Sequence, residues 1–236
     1  MSKIATWCSK VSDGMNCPKC KEQKVIKNGR TKNNKQQYYC KMCSHRFIEY
    51  YTNQACKLDI NEKIIQLTKE GLGLRSTARI LEISTTTLLK RIVSIARNIT
   101  RPIVSRGKTY EVDELCTYVR HKKNYIWLVY ALEKNSKNVV SFNVGKRTNK
   151  TLNRVLETLK LSEAKKIFTD KLKNYRSLID NKVHSVKRFG TNHIERKNLT
   201  LRTHLKRLNR RTICFSKSLL ILVSILKIYF WICVFK

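Results

Sequence analysis

Two sets of side chains in this 236-residue sequence have the types and spacing to do chemistry. The first is a set of thiols. Cys17-Pro-Lys-Cys20 and Cys40-Lys-Met-Cys43 are two CxxC pairs separated by 19 residues. Each such turn presents two thiolates to one Zn²⁺, and a short hairpin between the pairs completes a tetrahedral site. The second is a set of carboxylates. Acids are scarce after residue 107, so their positions are informative: Asp113 lies in the first strand expected there, Asp170 ends the short apolar run Lys166–Thr169, and Glu195 is the single acid in a stretch, 187–211, that holds nine Lys and Arg. Three carboxylates brought together would hold Mg²⁺ or Mn²⁺, which take oxygen ligands and complete their shells with water and phosphate oxygens. Two such ions can activate an attacking oxygen and stabilise a leaving one at phosphorus. Taken singly, each acid reads as a surface ion pair; only the set carries weight.

The elements that must position these groups can be read from period and punctuation. Residues 1–56 have little helical periodicity, with turn chemistry expected at Asn28-Gly29 and Asn33-Asn34 and a strand at Gln37–Tyr39; they are expected to form a zinc ribbon or finger folded largely by its metal. Cys8 and Cys56 fall outside the pattern and are read as bystanders. Residues 57–97 read as three helices: one capped by Asp59 and running to Glu70, a second over Leu74–Leu81, and a third opening at Thr85 after a short turn. That is a helix-turn-helix, whose third helix would carry Thr85, Thr86, Thr87, Lys90 and Arg91 to bases or phosphates. An ordinary three-helix cap is the plainer alternative.

Residues 98–107, with Pro102 and Gly107, read as a linker. From 108 to 217 the pattern gives strands at Lys108–Val119, Tyr125–Ala131 and Asn138–Val144, with turns at His121–Asn124 and Asn135–Lys137, then helix, short strand and helix. Three strands followed by αβα is the order of an RNase-H-like α/β domain with a mixed sheet, so the fold class is multi-domain α+β. A helix from about Ile194 would bury Ile194, Leu201, Leu205 and Leu208 and set Glu195 on the edge of that stripe, facing the sheet. Glu114, next to Asp113, must face the other side of the strand.

Charge narrows the function class. The chain carries 50 Lys and Arg against 16 Asp and Glu, a formal charge of +34. The excess is spread over both halves, with 21 basic and 7 acidic residues up to position 107 and 29 and 9 after it. A compact protein so charged is suited to a polyanion; this argues for nucleic acid, with an anionic membrane as the weaker option, and against a small-metabolite enzyme. The first residues carry no apolar signal segment, so a reducing, cytoplasmic and nucleoid-associated setting is expected. The last segment, 218–236, is nearly all apolar, but a 17-residue span over Leu219–Phe235 with Lys227 in its middle reads as a buried or dimer-forming helix rather than a membrane span.

Taken together, CPKC…CKMC, the helix-turn-helix, VDEL at 112–115, FTDKLKNY at 168–175 and HIERKNLTLRTHLKRLNRRTICFS at 193–216 resemble the bacterial insertion-sequence-1 (IS1) transposases. The resemblance runs from about residue 15 to 217, and its last motif is the most specific. It implies the joined form of two overlapping reading frames and a DDE DNA transposase with Asp113, Asp170 and Glu195 at the three acidic positions. The 56 and 24 residues between these acids fit the family. His193, Asn198 and Arg202 match its polar positions around the last acid and are expected on metal-bound water or DNA phosphate. The implied partners are the element's terminal inverted repeats, target DNA and further copies of the chain. The apolar tail departs from the family, whose tails are usually polar. Two other functions fit less of the sequence. A zinc and helix-turn-helix repressor with an inert second half would not need three acids, and a nuclease without strand transfer would not need two DNA-binding modules.

Overall fold

The computed structural model describes residues 15–49 and 53–232. Cys8 and the end of the expected apolar tail lie outside them. The chain divides into two compact units, 1–57 and 58–236.

In the first unit, β1 (Val25–Arg30), β2 (Gln36–Cys40) and β3 (Arg46–Ile48) form an antiparallel sheet in that order. Its small core is Val25, Tyr38, Phe47, Cys17 and Cys40. The β1–β2 turn is at Asn33-Asn34, where Asn34 takes the left-handed conformation (φ 58°). Asn28-Gly29, expected as turn chemistry, sits inside β1. Gly29 (φ 69°) makes a bulge there, where the register with β2 shifts.

The second unit begins with helices α1 (Ile60–Lys69), α2 (Leu74–Ile80) and α3 (Thr85–Asn98). Asp59 does not cap α1 with its side chain; it pairs with Lys63 at 2.7 Å instead. Ser84 does cap α3, accepting from the Thr87 amide at 3.0 Å. Residues 99–108 have no regular structure and are fastened to the α/β portion of the unit, with Tyr110 Oη donating to the Ser105 carbonyl and the Gly107 amide to the Ser162 carbonyl.

Strands β4 (Thr109–Val119), β5 (His121–Glu133) and β6 (Val139–Gly145) are antiparallel neighbours. The turn expected at 121–124 is part of β5; the hairpin closes at Arg120, which takes a positive φ of 68°. Then come α4 (Asn149–Leu161), β7 (Lys166–Phe168), α5 (Lys173–Leu178), the two-residue β8 (His184–Ser185), α6 (Asn192–His204) and α7 (Leu219–Trp231). The five-stranded order is β6-β5-β4-β7-β8, with β7 parallel to β4 and β8 parallel to β7. This mixed sheet, with its first three strands antiparallel and the rest parallel, is RNase-H-like.

Alternation along β4 and β5 gives the sheet two apolar faces. Val112, Val129 and Ala131 pack on Leu152, Val155, Leu156 and Leu159 of α4 and Tyr175 of α5. Leu115, Leu128, Tyr130 and Leu132 pack on the opposite side in one core with Ile194 and Leu201 of α6, Leu222, Ile225 and Leu226 of α7, and Ile64, Leu88 and Ile92 of α1 and α3. The stripe expected on α6 is buried throughout, but the helix stops at His204. Leu205 and Leu208 continue the stripe through a 3₁₀ turn over 206–208. Gly71, between α1 and α2, has φ 76° and lies so close to the His204 carbonyl that a Cβ would collide with it.

Candidate active site

β4 supplies three acids in a row of four residues. Glu111 and Asp113 point to the α6 face, and Glu114 to the α4 and α5 face. β7 pairs with β4 only as far as Glu111 opposite Phe168, so the β4 edge at residues 113 and 114 is uncovered. Asp170, two residues past the end of β7, folds over this opening, its Oδ1 accepting from the Leu172 amide at 3.0 Å. One carboxylate oxygen from each of Asp113, Glu114 and Asp170 lies within 4.8 Å of the others. Glu114 does face the opposite side from Asp113, as alternation requires. The open edge nevertheless lets both side chains reach Asp170.

Asp113 is held by its surroundings. Its Oδ1 accepts from the Glu114 amide at 2.7 Å and its Oδ2 from Asn198 Nδ2 at 2.7 Å. Tyr130, opposite Asp113 on β5, donates from Oη to Asn198 Oδ1 at 2.8 Å, which fixes the amide's orientation. Burial pushes Asp113 up to about 6, with the charges of Asp170 and Glu195 adding to the shift and the two hydrogen bonds opposing it. Glu114 is raised by burial as well; Arg147 and the Tyr175 phenol oppose this and the neighbouring acids add to it. The Glu114 side chain is 1% exposed, its Oε2 is 3.5 Å from Arg147 Nη2, and its Oε1 is buried with no hydrogen-bond partner.

Glu195, in the first turn of α6, accepts from Thr191 Oγ1 at 2.7 Å and lies outside the 4.8 Å group. It lines an open groove of about 610 Å³ with Asn198, Leu199, Arg202, Asn209, Arg210 and Arg211. Arg202 is tied by Nη1 to the Leu208 carbonyl at 2.9 Å. His193 faces β4, where its Nδ1 is 2.7 Å from Glu111 Oε1. Glu111 is the residue that sequence reasoning missed. It is fully buried, its Oε2 accepts from the Ile194 amide at 2.8 Å, and Lys134 Nζ is 3.8 Å from its Oε1. It closes the N-terminus of α6, which has no side-chain cap of its own. Its place two residues before Asp113, on the same strand face, was the available signal.

On α3, Thr85, Thr86 and Lys90 are exposed and Thr87 and Arg91 half-buried; Thr87 Oγ1 is 2.8 Å from Ser84 Oγ. In the first unit, Cys17, Cys20, Cys40 and Cys43 bring their sulfurs within 4.8 Å of one another, with Cys17–Cys43 at 3.6 Å and Cys20–Cys40 at 3.5 Å. Tetrahedral Zn²⁺ with Zn–S bonds of about 2.3 Å sets sulfurs about 3.8 Å apart, so the four fit that ion. Cys56 is exposed and stands apart from them. No helix among the described residues is long and apolar enough to cross a membrane.

The profile of a family described as IS1 transposase matches residues 108–236. Over 108 residues, 46% of this chain, the sequence is 41% identical to the insertion element IS1 protein InsB of Shigella flexneri, covering 82% of that protein. It is 40% identical to the insertion element IS1 2 protein InsB of Escherichia coli (strain K12), covering 65% of its length, a little under two thirds. Among solved structures, a chain of the simian T-cell lymphotropic virus intasome, in complex with PP2A regulatory subunit B56 gamma, is similar at 17% identity and a TM-score of 0.37, covering 69% of this chain and 66% of that one. The HTLV-2 integrase catalytic core domain in complex with magnesium is similar at 16% identity and a TM-score of 0.33, covering 54% and 86%.

Proposed function

The chain belongs to the IS1 transposase family, and from that premise we propose that it is a DDE-type DNA transposase, which binds the ends of its element, cleaves them by metal-dependent hydrolysis and joins the freed 3′-OH to target DNA. The observation that carries this reading is the meeting of Asp113 and Asp170 at the open edge of an RNase-H-like sheet.

In this reading Asp113, Asp170 and Glu195 hold Mg²⁺ or Mn²⁺, and the orphaned Glu114 Oε1 beside the first two supports the fit of the pocket to a cation. When bound, the ions polarise the scissile phosphate and lower the pKa of an attacking oxygen. The chain's own residues do the rest. Asn198, aligned by Tyr130, keeps Asp113 Oδ2 turned towards the α6 side. Glu111 holds the start of α6, and with it Glu195, against β4. The groove of Glu195, Asn198, Arg202, Arg210 and Arg211 offers positive charge to a strand's phosphates. Thr85, Thr86, Thr87, Lys90 and Arg91 of α3 are assigned to the terminal repeats, with His193, Asn198 and Arg202 near the reacting phosphate. Zn²⁺ on Cys17, Cys20, Cys40 and Cys43 folds the first unit as a second DNA-binding module. The protein works as a homo-oligomer on DNA.

The test is cleavage and joining of DNA that carries the inverted repeats flanking its own gene, with Mg²⁺ or Mn²⁺. Asp113→Asn, Asp170→Asn and Glu195→Gln should each lower cleavage by at least about a hundredfold, the scale of losing a stabilising group in the transition state, while end binding persists. Lys90→Ala should weaken end binding and flatten its salt dependence. End binding without cleavage by the unaltered protein would leave a repressor instead.

A further inference from the structure

The proposed triad leaves one carboxylate unused. Glu114 is closed off from solvent at 1% side-chain exposure, yet its neighbours do not satisfy it. Arg147 reaches only Oε2, at 3.5 Å, while the Arg147 guanidinium also stacks 4.4 Å over Trp127. Oε1 is buried and has no hydrogen-bond partner. The phenol of Tyr175 on α5, itself fully buried, lies close enough to act on the Glu114 carboxylate, but the two do not meet in good hydrogen-bond geometry. A buried carboxylate oxygen left unpaired is unfavourable unless something positive completes it. An oxygen of this carboxylate lies within 4.8 Å of oxygens from Asp113 and Asp170.

We propose that Asp113, Glu114 and Asp170 form a divalent-cation site complete in itself, with Glu114 Oε1 as a direct ligand, and that this site takes its ion without Glu195. Three carboxylate oxygens leave an octahedral cation with about three open positions for water or phosphate. Glu195 is meanwhile engaged by Thr191 and stands outside the group. Metal loading then divides into two events. One ion is held by the strand edge before DNA arrives, and Glu195 contributes only to a second ion, when DNA phosphate supplies further oxygens. Residues 113 and 114, adjacent in sequence and on opposite faces of β4, grip one ion because β7 stops short and leaves their edge open. The inference rests on the transposase reading only in taking Asp113 and Asp170 as metal ligands.

The experiment is a titration of the full chain, zinc present and DNA absent, with Mn²⁺ alone, following free Mn²⁺ by its electron paramagnetic resonance signal. The unaltered protein should bind one Mn²⁺. Glu114→Gln should weaken binding at least tenfold, and Glu114→Asp should do the same, because it keeps the charge but withdraws the oxygen by one methylene. Glu195→Gln should weaken binding clearly less than either Glu114 variant, through lost charge alone, and Arg147→Gln should bind as tightly as the unaltered protein or more so, since a cation leaves the neighbourhood. If Glu114→Gln does not fold by circular dichroism, Glu114→Asp decides. Mn²⁺ binding by both Glu114 variants within twofold of the unaltered protein would overturn the proposal. So would equal losses in Glu195→Gln and the Glu114 variants, or no binding by the unaltered chain. DNA cleavage is a separate readout: a chain that binds Mn²⁺ as described but never cuts its element ends refutes the transposase reading and leaves this site standing.

Discussion

Asp113 is expensive to ionise in the absence of a cation. Its pKa rises from 3.8 to about 6 because the strand buries it and two other acids face it. A carboxyl raised on folding favours the folded state fully only below its unfolded pKa, and that contribution disappears as pH climbs through the folded value. The metal-free protein should therefore lose stability between about pH 4 and pH 6. At roughly 1.4 kcal/mol per pKa unit the loss is up to about 3 kcal/mol. Asp113→Asn keeps the shape and has no charge to bury, so it should be more stable than the unaltered protein by up to that amount at pH 7, and no more stable at pH 4. Urea unfolding at the two pH values, with a chelator of divalent ions present, measures both. Adding Mg²⁺ should raise the stability of the unaltered protein and not that of the variant. Equal stability of the two proteins at pH 7 would mean that the acids around Asp113 do not strain the site.

At the level of elements, α6 depends on a residue outside itself. The Glu111 carboxylate accepts from the Ile194 amide and from His193, so a strand acid caps a helix that lacks a side-chain cap of its own. Glu111→Gln should cost about 1.5–3 kcal/mol, the usual range for a hydrogen bond to a charged group. It should lower cleavage as well, because Glu195 and Asn198 ride on α6; denaturant unfolding and the cleavage assay read the two effects. Leu201 and Ile194 were legible in the sequence because a 3.6-residue stripe needs only the helix itself. Glu111 was not, because its role exists only once β4 and α6 lie side by side. Two other misreadings have the same kind of origin. Asn28-Gly29 has turn composition, but a bulge uses the same positive φ within a strand. Residues 121–124 are polar like a turn, yet β5 extends through them with four exposed side chains. β8, two residues long, is too short to show any period. Asp113, Asp170 and the CxxC pairs stood out because rare residue types at meaningful positions survive without knowledge of the packing.

Over the whole molecule, the division that matters is between residues 1–57 and the rest. The helices α1, α2 and α3 and the sheet, which look like separate modules along the sequence, share one core. α7 is the element that joins them: Leu222, Ile225 and Leu226 are buried there, and Phe230 stacks 5.8 Å from Tyr130, the residue that aligns Asn198. Trp231 Nε1 donates to the Val139 carbonyl on β6, and Lys227 Nζ to the Ala96 carbonyl on α3. Over 219–231 the apolar tail is thus a core helix, and its composition follows from being covered on several sides. Among the described residues the first unit has little core beyond its four cysteines, Val25, Tyr38 and Phe47, so on the proposed reading zinc supplies much of its stability. Heating should therefore give two transitions. A zinc chelator should abolish the one belonging to residues 1–57 and leave the other in place. Leu226→Ala should do the reverse, lowering the second transition by about 2–5 kcal/mol, the range for a buried leucine truncated to alanine. Because the core is shared, that loss must appear together in the helices and the sheet. Hydrogen exchange would register it at α3 amides and β5 amides alike. Protection lost in α3 alone would mean that the helix-turn-helix folds as a unit of its own and that α7 only rests against it.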